Sequence, residues 1–249
     1  MKKILVLMVV LGCSLGRASE VAPTSSLDTT MKTEPVSSLI SVTEQKVRNA
    51  AVKVVSSRGT RGGHGSGSLV KYKGMTLLFT ANHVADGVLG SRYYAMKDSE
   101  IKLAILIYSD PLHDISVLYM AEEFYGVKPL KYSPREDIIE VGSEITYSGY
   151  PSSHQLMTFR GRVAGYEILQ DAGIQILLHT HGWFGCSGSL VYDTEGKIVG
   201  VLWGVDVEYR PEQHIVGNLI WIQPIQAFNI EHSLQALCRS GQVKSRACK

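Results

Sequence analysis

Between Val47 and Gln223 no long stretch of the chain shows helical periodicity. Short runs rich in Val, Ile, Leu, Thr and Tyr alternate with turns of Gly, Pro, Asn and Asp. That spacing favours an all-β fold. An early set of candidate strands comprises VRNAAVKVVSS from Val47, then residues 66–72, 75–81, 102–108 and 115–120. A connection rich in mixed charge, AEEFYGVKPLKYSPREDIIEVG, follows. A later set comprises residues 144–150, 158–169, 174–180, 189–193, 198–203 and 218–223. Two sets of about six short strands fit two small barrels better than one sandwich. Residues 231–249 are expected to form a short helix and a basic tail. No repeat suggests a solenoid or propeller.

The chain has 249 residues, of which 45% are hydrophobic and 19% charged. This suits one globular unit, or two small subdomains sharing a core. The formal charge is +2. That is too mild for nucleic acid or an anionic membrane surface as the main partner. At the N-terminus, Lys2 and Lys3 precede an apolar run, Ile4 to Leu11, and small residues Gly16 and Ala18 follow. This is the pattern of an export signal cleaved after Ala18, too short to span a bilayer. It implies a secreted or periplasmic protein. Val10-Leu11-Gly12-Cys13 also resembles a lipoprotein box that would place a lipid on Cys13. Residues 19–45 read as a flexible leader rich in Ser, Thr and Pro. Of the other cysteines, Cys238 and Cys248 could close a disulfide over the C-terminal tail, or remain free thiols.

The stretch GCSGSLVYDTEGKIVGVLWG, Gly185 to Gly204, carries the chemical signal. A serine hydroxyl is a poor nucleophile at neutral pH and needs a base, which in turn needs an orienting carboxylate. It also needs N–H donors aimed at the oxyanion formed on attack. Glycines around Ser187 permit a sharp turn that lets the N–H groups of Gly185 and Ser187 converge on one point. Cys186, beside it, is an intrinsically better nucleophile and is the rival. Among eight histidines, His83 ends an apolar strand in LLFTANHVADG. Asp114 opens the apolar strand DISVLYM. A carboxylate in that place calls for a partner.

Together these segments resemble the trypsin-like serine proteases, above all the Deg-type periplasmic enzymes. GHGSGSLVKYKGMTLLFTANHVADG is similar to the family's first barrel, SDPLHDISVLYM to its aspartate segment, and VGSEITYSGYP to the entry of its second barrel. The order is the family's. The spacing from His83 to Asp114 is 31 (114 − 83) and that from Asp114 to Ser187 is 73 (187 − 114), both ordinary for it. The resemblance implies two six-stranded antiparallel β-barrels, about 46–135 and 136–230, within a protease domain over 46–230. It implies a serine endopeptidase with Ser187 as nucleophile, His83 as general base and then acid, and Asp114 as orienter of the imidazole. The oxyanion donors would be the N–H groups of Gly185 and Ser187. Substrate, a protein or peptide, would lie as an added strand along Leu202, Trp203 and Gly204. The pocket for the residue before the cut would be lined by His181, Gly182, Trp183 and Phe184 together with that strand. Relatives that use cysteine place it in the slot held here by Ser187, so Ser187 is preferred over Cys186. Cys186 also replaces the Asp or Asn usual in the family, which argues against activation by insertion of a new N-terminus. The stretch after Pro224 is too short for a PDZ domain.

The remaining candidates read as structural. His179 and His181 fall on one face of a strand and could bind metal. No third ligand of suitable spacing is evident, so no metal is expected. No cofactor motif is present. His113 is expected to be exposed in a turn, His64 to lie in a glycine-rich loop, and Asp86 and Asp110 to form turns. A protease-fold module that binds peptides without cutting, and a viral or phage processing protease, are the alternatives. Oligomeric state is left open.

Overall fold

A computed structural model of the chain describes residues 40–58, 61–152, 154–210 and 212–239. The export signal, the lipoprotein box, most of the leader and the basic tail lie outside these residues. The first described element is not the expected strand from Val47 but a helix, α1 (Val42–Ala50). Ser41 and Glu44 nucleate it. Glu44 N–H donates to Ser41 Oγ (3.2 Å) and Ser41 N–H donates to Glu44 Oε2 (2.6 Å). Each thus satisfies a donor that the first turn leaves open, a reciprocal capping box. The helix yields to β1 (Ala51–Arg58). There the β-branched Val52, Val54 and Val55 favour extended backbone.

The first barrel holds β1, β2 (Arg61–Tyr72), β3 (Met75–Ala81), β4 (Arg92–Lys97), β5 (Glu100–Asp110) and β6 (Ile115–Met120). Their order is β1-β4-β5-β6-β3-β2, closed by pairing of β1 with β2. A two-residue strand, β7 (Leu130–Lys131), runs parallel to β2. The second barrel is built from β8 (Glu144–Gly149), β9 (Met157–Leu169), β10 (Gly173–His179), β11 (Leu190–Asp193), β12 (Ile198–Arg210) and β13 (Glu212–Pro224). It closes in the order β10-β13-β12-β11-β8-β9. Closure removes the free strand edges that an open sheet would present to other chains. A single turn of 3-10 helix and α2 (Ile230–Arg239) complete the described chain. The fold class read from the sequence is thus the observed one.

Three apolar clusters hold this together. Val52, Val54, Leu69, Leu78, Leu106 and Leu118 fill the first barrel. Tyr147, Val163, Ile176, Leu178, Ile220 and Ile222 fill the second. The third lies between the barrels, where Val70, Leu77, Phe79 and Val117 meet Leu190, Tyr192 and Val201, with Phe228 and Leu234 from the C-terminal segment sealing it. Strand β3 is buried at all seven positions because one face fills the first barrel and the other meets the second. That is why MTLLFTA reads as a continuous apolar run rather than an alternating one. The candidate site residues lie just beyond the end of β3, just before the start of β6 and in the loop before β11.

Candidate active site

The strand register brings the first two residues together. Ala81 pairs with Ile115 at the end of the β3–β6 ladder, so the residues just beyond each strand face one another. Asn82 N–H continues the contact by donating to Asp114 O (3.0 Å). Asp114 then receives His83 twice: the backbone N–H donates to Oδ1 (2.8 Å) and ring Nδ1 lies 2.7 Å from Oδ2. An ionised carboxylate only accepts, so Nδ1 carries the proton and Nε2 of the neutral ring keeps its lone pair. Asp114 has φ +52. A non-glycine residue rarely adopts that left-handed backbone outside constrained sites. Both side chains are partly exposed to the crevice (34% and 23%).

Ser187 approaches from the second barrel on a loop pressed against the first. Ser66 N–H donates to Ser187 O (2.8 Å). Gly188 has φ +91, and a β-carbon there would fall 2.2 Å from Ser66 O and 2.7 Å from Ala81 N, two residues before His83. A β-carbon on Gly65 would meet Val84, next to His83, at 2.5 Å and Ser187 O at 2.9 Å. Only glycine lets the three backbones approach this closely, and their approach brings the Ser187 backbone against the chain on either side of β3, just before His83.

The amides of this loop alternate in use. Cys186 N–H donates to Trp183 O (3.0 Å), Gly188 N–H to Leu202 O (2.7 Å) and Ser189 N–H to Cys186 O (3.1 Å). Among the described residues, the N–H groups of Gly185 and Ser187 have no acceptor. Phe184 O receives Ser152 N–H at 2.6 Å. In a planar trans peptide the carbonyl and the following N–H point in opposite directions, so Gly185 N–H is turned away from Ser152.

Cys186 is fully buried in the core of the second barrel, and that burial pushes its thiol above its ordinary value. A thiol kept protonated and packed away is a poor nucleophile. Asp110, a rival carboxylate by sequence, is occupied by its own histidine: His113 Nδ1 lies 2.7 Å from Asp110 Oδ2. His113 lies in a turn, as expected, but is held in a side-chain pair and only partly exposed (25%). Burial raises the Asp110 carboxyl, but the bonds from His113 outweigh it and leave the group below its usual range.

The residues expected to bind substrate are spread over different roles. Leu202 turns its side chain into the second barrel and ties both backbone groups to the nucleophile loop, donating to Ser189 O (2.9 Å) and accepting from Gly188 N–H. Trp203 stacks on Trp221 (6.2 Å between rings) and donates its indole N–H to Gln175 Oε1 (2.9 Å). Gly204 leaves open space where a side chain would stand. Gly182 N–H donates to Gly217 O (2.8 Å). Trp183 and Phe184, packed edge to face, are exposed beside the loop (38% and 53%). His181 is exposed, and its carbonyl accepts the Tyr147 hydroxyl. With His179 it lines a cavity of about 750 Å³ that also holds the Glu44–Arg160 and Glu144–Arg162 pairs. His83, Asp114 and Ser187 do not line that cavity. No group of three His, Cys, Asp or Glu among the described residues could hold a metal ion.

Two closed antiparallel barrels, a His–Asp pair at the seam and a glycine-bent serine loop define the class of the trypsin-like serine peptidases. Residues 65–201 match the model of the trypsin-like peptidase domain, more than half of the chain, and the protein belongs to that family. The fold is shared with the HtrA-type protease AlgW solved with a tripeptide (TM-score 0.64, 19% identity, 81% of this chain and 64% of that one). It is shared also with the active form of the Rv3671c protease from M. tuberculosis (TM-score 0.61, 15% identity, 88% and 94%). A third is a serine endoprotease from Yersinia pestis (TM-score 0.59, 20% identity, 81% and 67%). The chain thus spans slightly under two thirds of the length of the HtrA-type AlgW. No curated protein matches it by sequence.

Sequence reasoning missed Ser66. This buried hydroxyl donates to Gly185 O (2.7 Å) and accepts Tyr150 N–H (2.8 Å), tying the nucleophile loop to the entry of the second barrel. The glycines flanking it in GHGSGS were the available signal.

Proposed function

We propose that the protein is an exported serine endopeptidase that cuts peptide bonds through Ser187, His83 and Asp114. The observation that carries this reading is the double grip of Asp114 on His83, which presents Nε2 as a proton acceptor. His83 takes the Ser187 hydroxyl proton as Oγ bonds to the substrate carbonyl carbon, and the carbonyl electron pair moves onto oxygen. The unpartnered N–H groups of Gly185 and Ser187 hold that oxyanion. Collapse breaks the C–N bond, and the leaving amine takes its proton from His83. Water then repeats the sequence on the acyl-enzyme, giving one proton to His83 while its oxygen bonds to the acyl carbon. Ser187 departs and regains the proton.

Substrate main chain is expected to lie along Trp203 and Gly204, where no side chain on Gly204 obstructs an added strand. Main-chain hydrogen bonds would hold it there. Trp183 and Phe184 offer exposed apolar surface beside it. Export rests on the charged and apolar run of residues 1–18. It is supported by Cys238, which is disulfide-bonded. Such bonds persist in oxidising compartments. No helix among the described residues is long and apolar enough to cross a membrane.

Digestion of a mixed peptide library by the wild type and by Ser187→Ala, read by mass spectrometry, tests the reading. Cleavage by the wild type alone is expected. Binding of peptides by both without cleavage would make the fold a recognition module instead. A mature N-terminus at Ser19 in the native protein would support export, and retention of Met1 would count against it.

A further inference from the structure

One polar side chain next to the nucleophile loop has no part in the chemistry above. His64 lies on β2 opposite Val55 of β1, with its ring partly buried. Its Nε2 is buried and has no hydrogen-bond partner among the described residues. That atom stands 2.9 Å from the place a β-carbon of residue 185 would occupy, in company with Tyr150 O (2.4 Å) and Ser152 N (3.1 Å). Gly185 has φ +96, so the loop, the turn at 150–152 and the imidazole all converge on one glycine. A buried polar group pressed against three backbone segments calls for an explanation of its position.

The same place fixes one peptide of the loop. Ser152 N–H grips Phe184 O from one side (2.6 Å), and Ser66 Oγ grips Gly185 O (2.7 Å) while accepting Tyr150 N–H. Rotation of the Phe184–Gly185 peptide would carry its carbonyl off Ser152 and turn Gly185 N–H out of the crevice. The imidazole of His64 stands against Gly185 and the 150–152 turn, on the side from which that peptide is held. We propose that His64 is a positioning residue whose ring fills the space between β2 and the 150–152 turn and keeps the Phe184–Gly185 peptide aimed so that Gly185 N–H faces the substrate oxyanion. Burial, and then the nearby charge of Lys53, lower its proton affinity, while hydrogen bonding of the ring with the backbone of Tyr150 and Ser152 raises it, tying the imidazole to the 150–152 turn; the net effect is a lowering.

This inference rests on the proposed serine mechanism for its kinetic effect, though its structural content does not. Outright loss of one oxyanion donor costs ~10²–10³ in rate, so a misaimed Gly185 N–H is expected to lower kcat by roughly 10–100-fold. KM for a peptide substrate is expected to stay within about threefold, because the substrate carbonyl gains most of this interaction only on becoming an oxyanion. The test measures kcat, KM and affinity for a peptide boronate, which binds as a tetrahedral adduct, in His64→Ala and His64→Gln. His64→Ala should lose kcat and boronate affinity by the same factor, and His64→Gln should recover most of both. A kcat for His64→Ala within about twofold of wild type, or a change confined to KM, would overturn the proposal. A readout free of turnover is the Gly185 amide resonance in the Ser187→Ala background, with and without His64→Ala or, if that does not fold, His64→Gln. A shift of that resonance beyond those of its neighbours supports the proposal, and an unmoved one refutes it. If the wild type has no turnover dependent on Ser187, the serine mechanism falls, while the amide resonance still decides the role of His64.

Discussion

Replacing Ser66 by alanine removes one oxygen atom and two hydrogen bonds from the seam between the barrels. The hydroxyl is fully buried. Its space is too small for collapse to relieve the loss. Tyr150 N–H, which now donates to it, would lie buried without an acceptor. That penalty is about 1–3 kcal/mol. Gly185 O would lose its Ser66 donor but is only partly buried. Water can replace the donor, so this bond is worth about 0.5–1.5 kcal/mol. Together the cost is about 2–4 kcal/mol, which in a domain of this size lowers Tm by about 5–15 °C. Because the freed carbonyl belongs to the residue whose N–H should hold the oxyanion, kcat is expected to fall by about tenfold or more. Ser68→Ala is the control. Its hydroxyl accepts Leu190 N–H at a longer 3.3 Å. A loss of about 1 kcal/mol with little change in rate is expected. Urea unfolding at neutral pH and steady-state peptide hydrolysis measure both quantities. Ser66→Ala within about 0.5 kcal/mol of wild type, at unchanged kcat, would refute the clamp.

Other perturbations follow from the same geometry. Gly188→Ala drives a β-carbon into Ser66 O and Thr80 Oγ1 at a left-handed φ. Destabilisation of about 3 kcal/mol or more is expected by denaturant melts. Asp114→Asn should leave unfolding nearly unchanged yet cut kcat by roughly 10⁴, since the amide can hold the ring in the wrong tautomer. Arg160, through its hydrogen bonds to the Glu44 carboxylate, holds that group down at about 2. A carboxylate depressed in this way stabilises the fold above its unfolded value of about 4.3 and loses that contribution as pH falls through the folded one. Glu44→Gln should therefore flatten the acid limb of stability, with the two proteins converging at the lowest pH. Burial pushes Lys97 down to about 8. Its unfolded value is about 10.4, so the folded state sheds a proton first. Wild-type stability should rise relative to Lys97→Met between those values and run parallel below them.

Much of this molecule was legible in the sequence for plain reasons. MTLLFTA and ISVLYM are bounded by turns and form strands at those residues, Met75–Ala81 and Ile115–Met120. Strand β4, RYYAMK, escaped notice because its inward position 97 is a lysine. The side chain is buried only because its amino group donates to Arg48 O (3.1 Å) and Ala51 O (2.7 Å) at the end of α1. The helix itself was signalled by Ser41 and Glu44, but its polar sequence merged with the leader. In this stretch the sequence reads as strand only at 198–203 and 218–223; the long ends of β12 and β13, with Asp206, Glu208 and His214, are strands because each pairs with the other. Of the site, His83 and Asp114 could be read because each adjoins an apolar strand whose pairing forces them together. The role of His64 could not, and for Ser66 only the flanking glycines hinted at it, because both meet backbone groups of the second barrel, far along the chain, that are fixed only when the barrels join.

The central claim is that a serine oxygen, activated across the barrel seam, does the work. Treatment of the folded protein with a serine-directed fluorophosphonate, followed by peptide mapping, addresses it most directly. The expected result is one adduct, on Ser187, that disappears in His83→Ala. An adduct on Cys186, or cleavage that persists while Ser187 stays unlabelled, would contradict it.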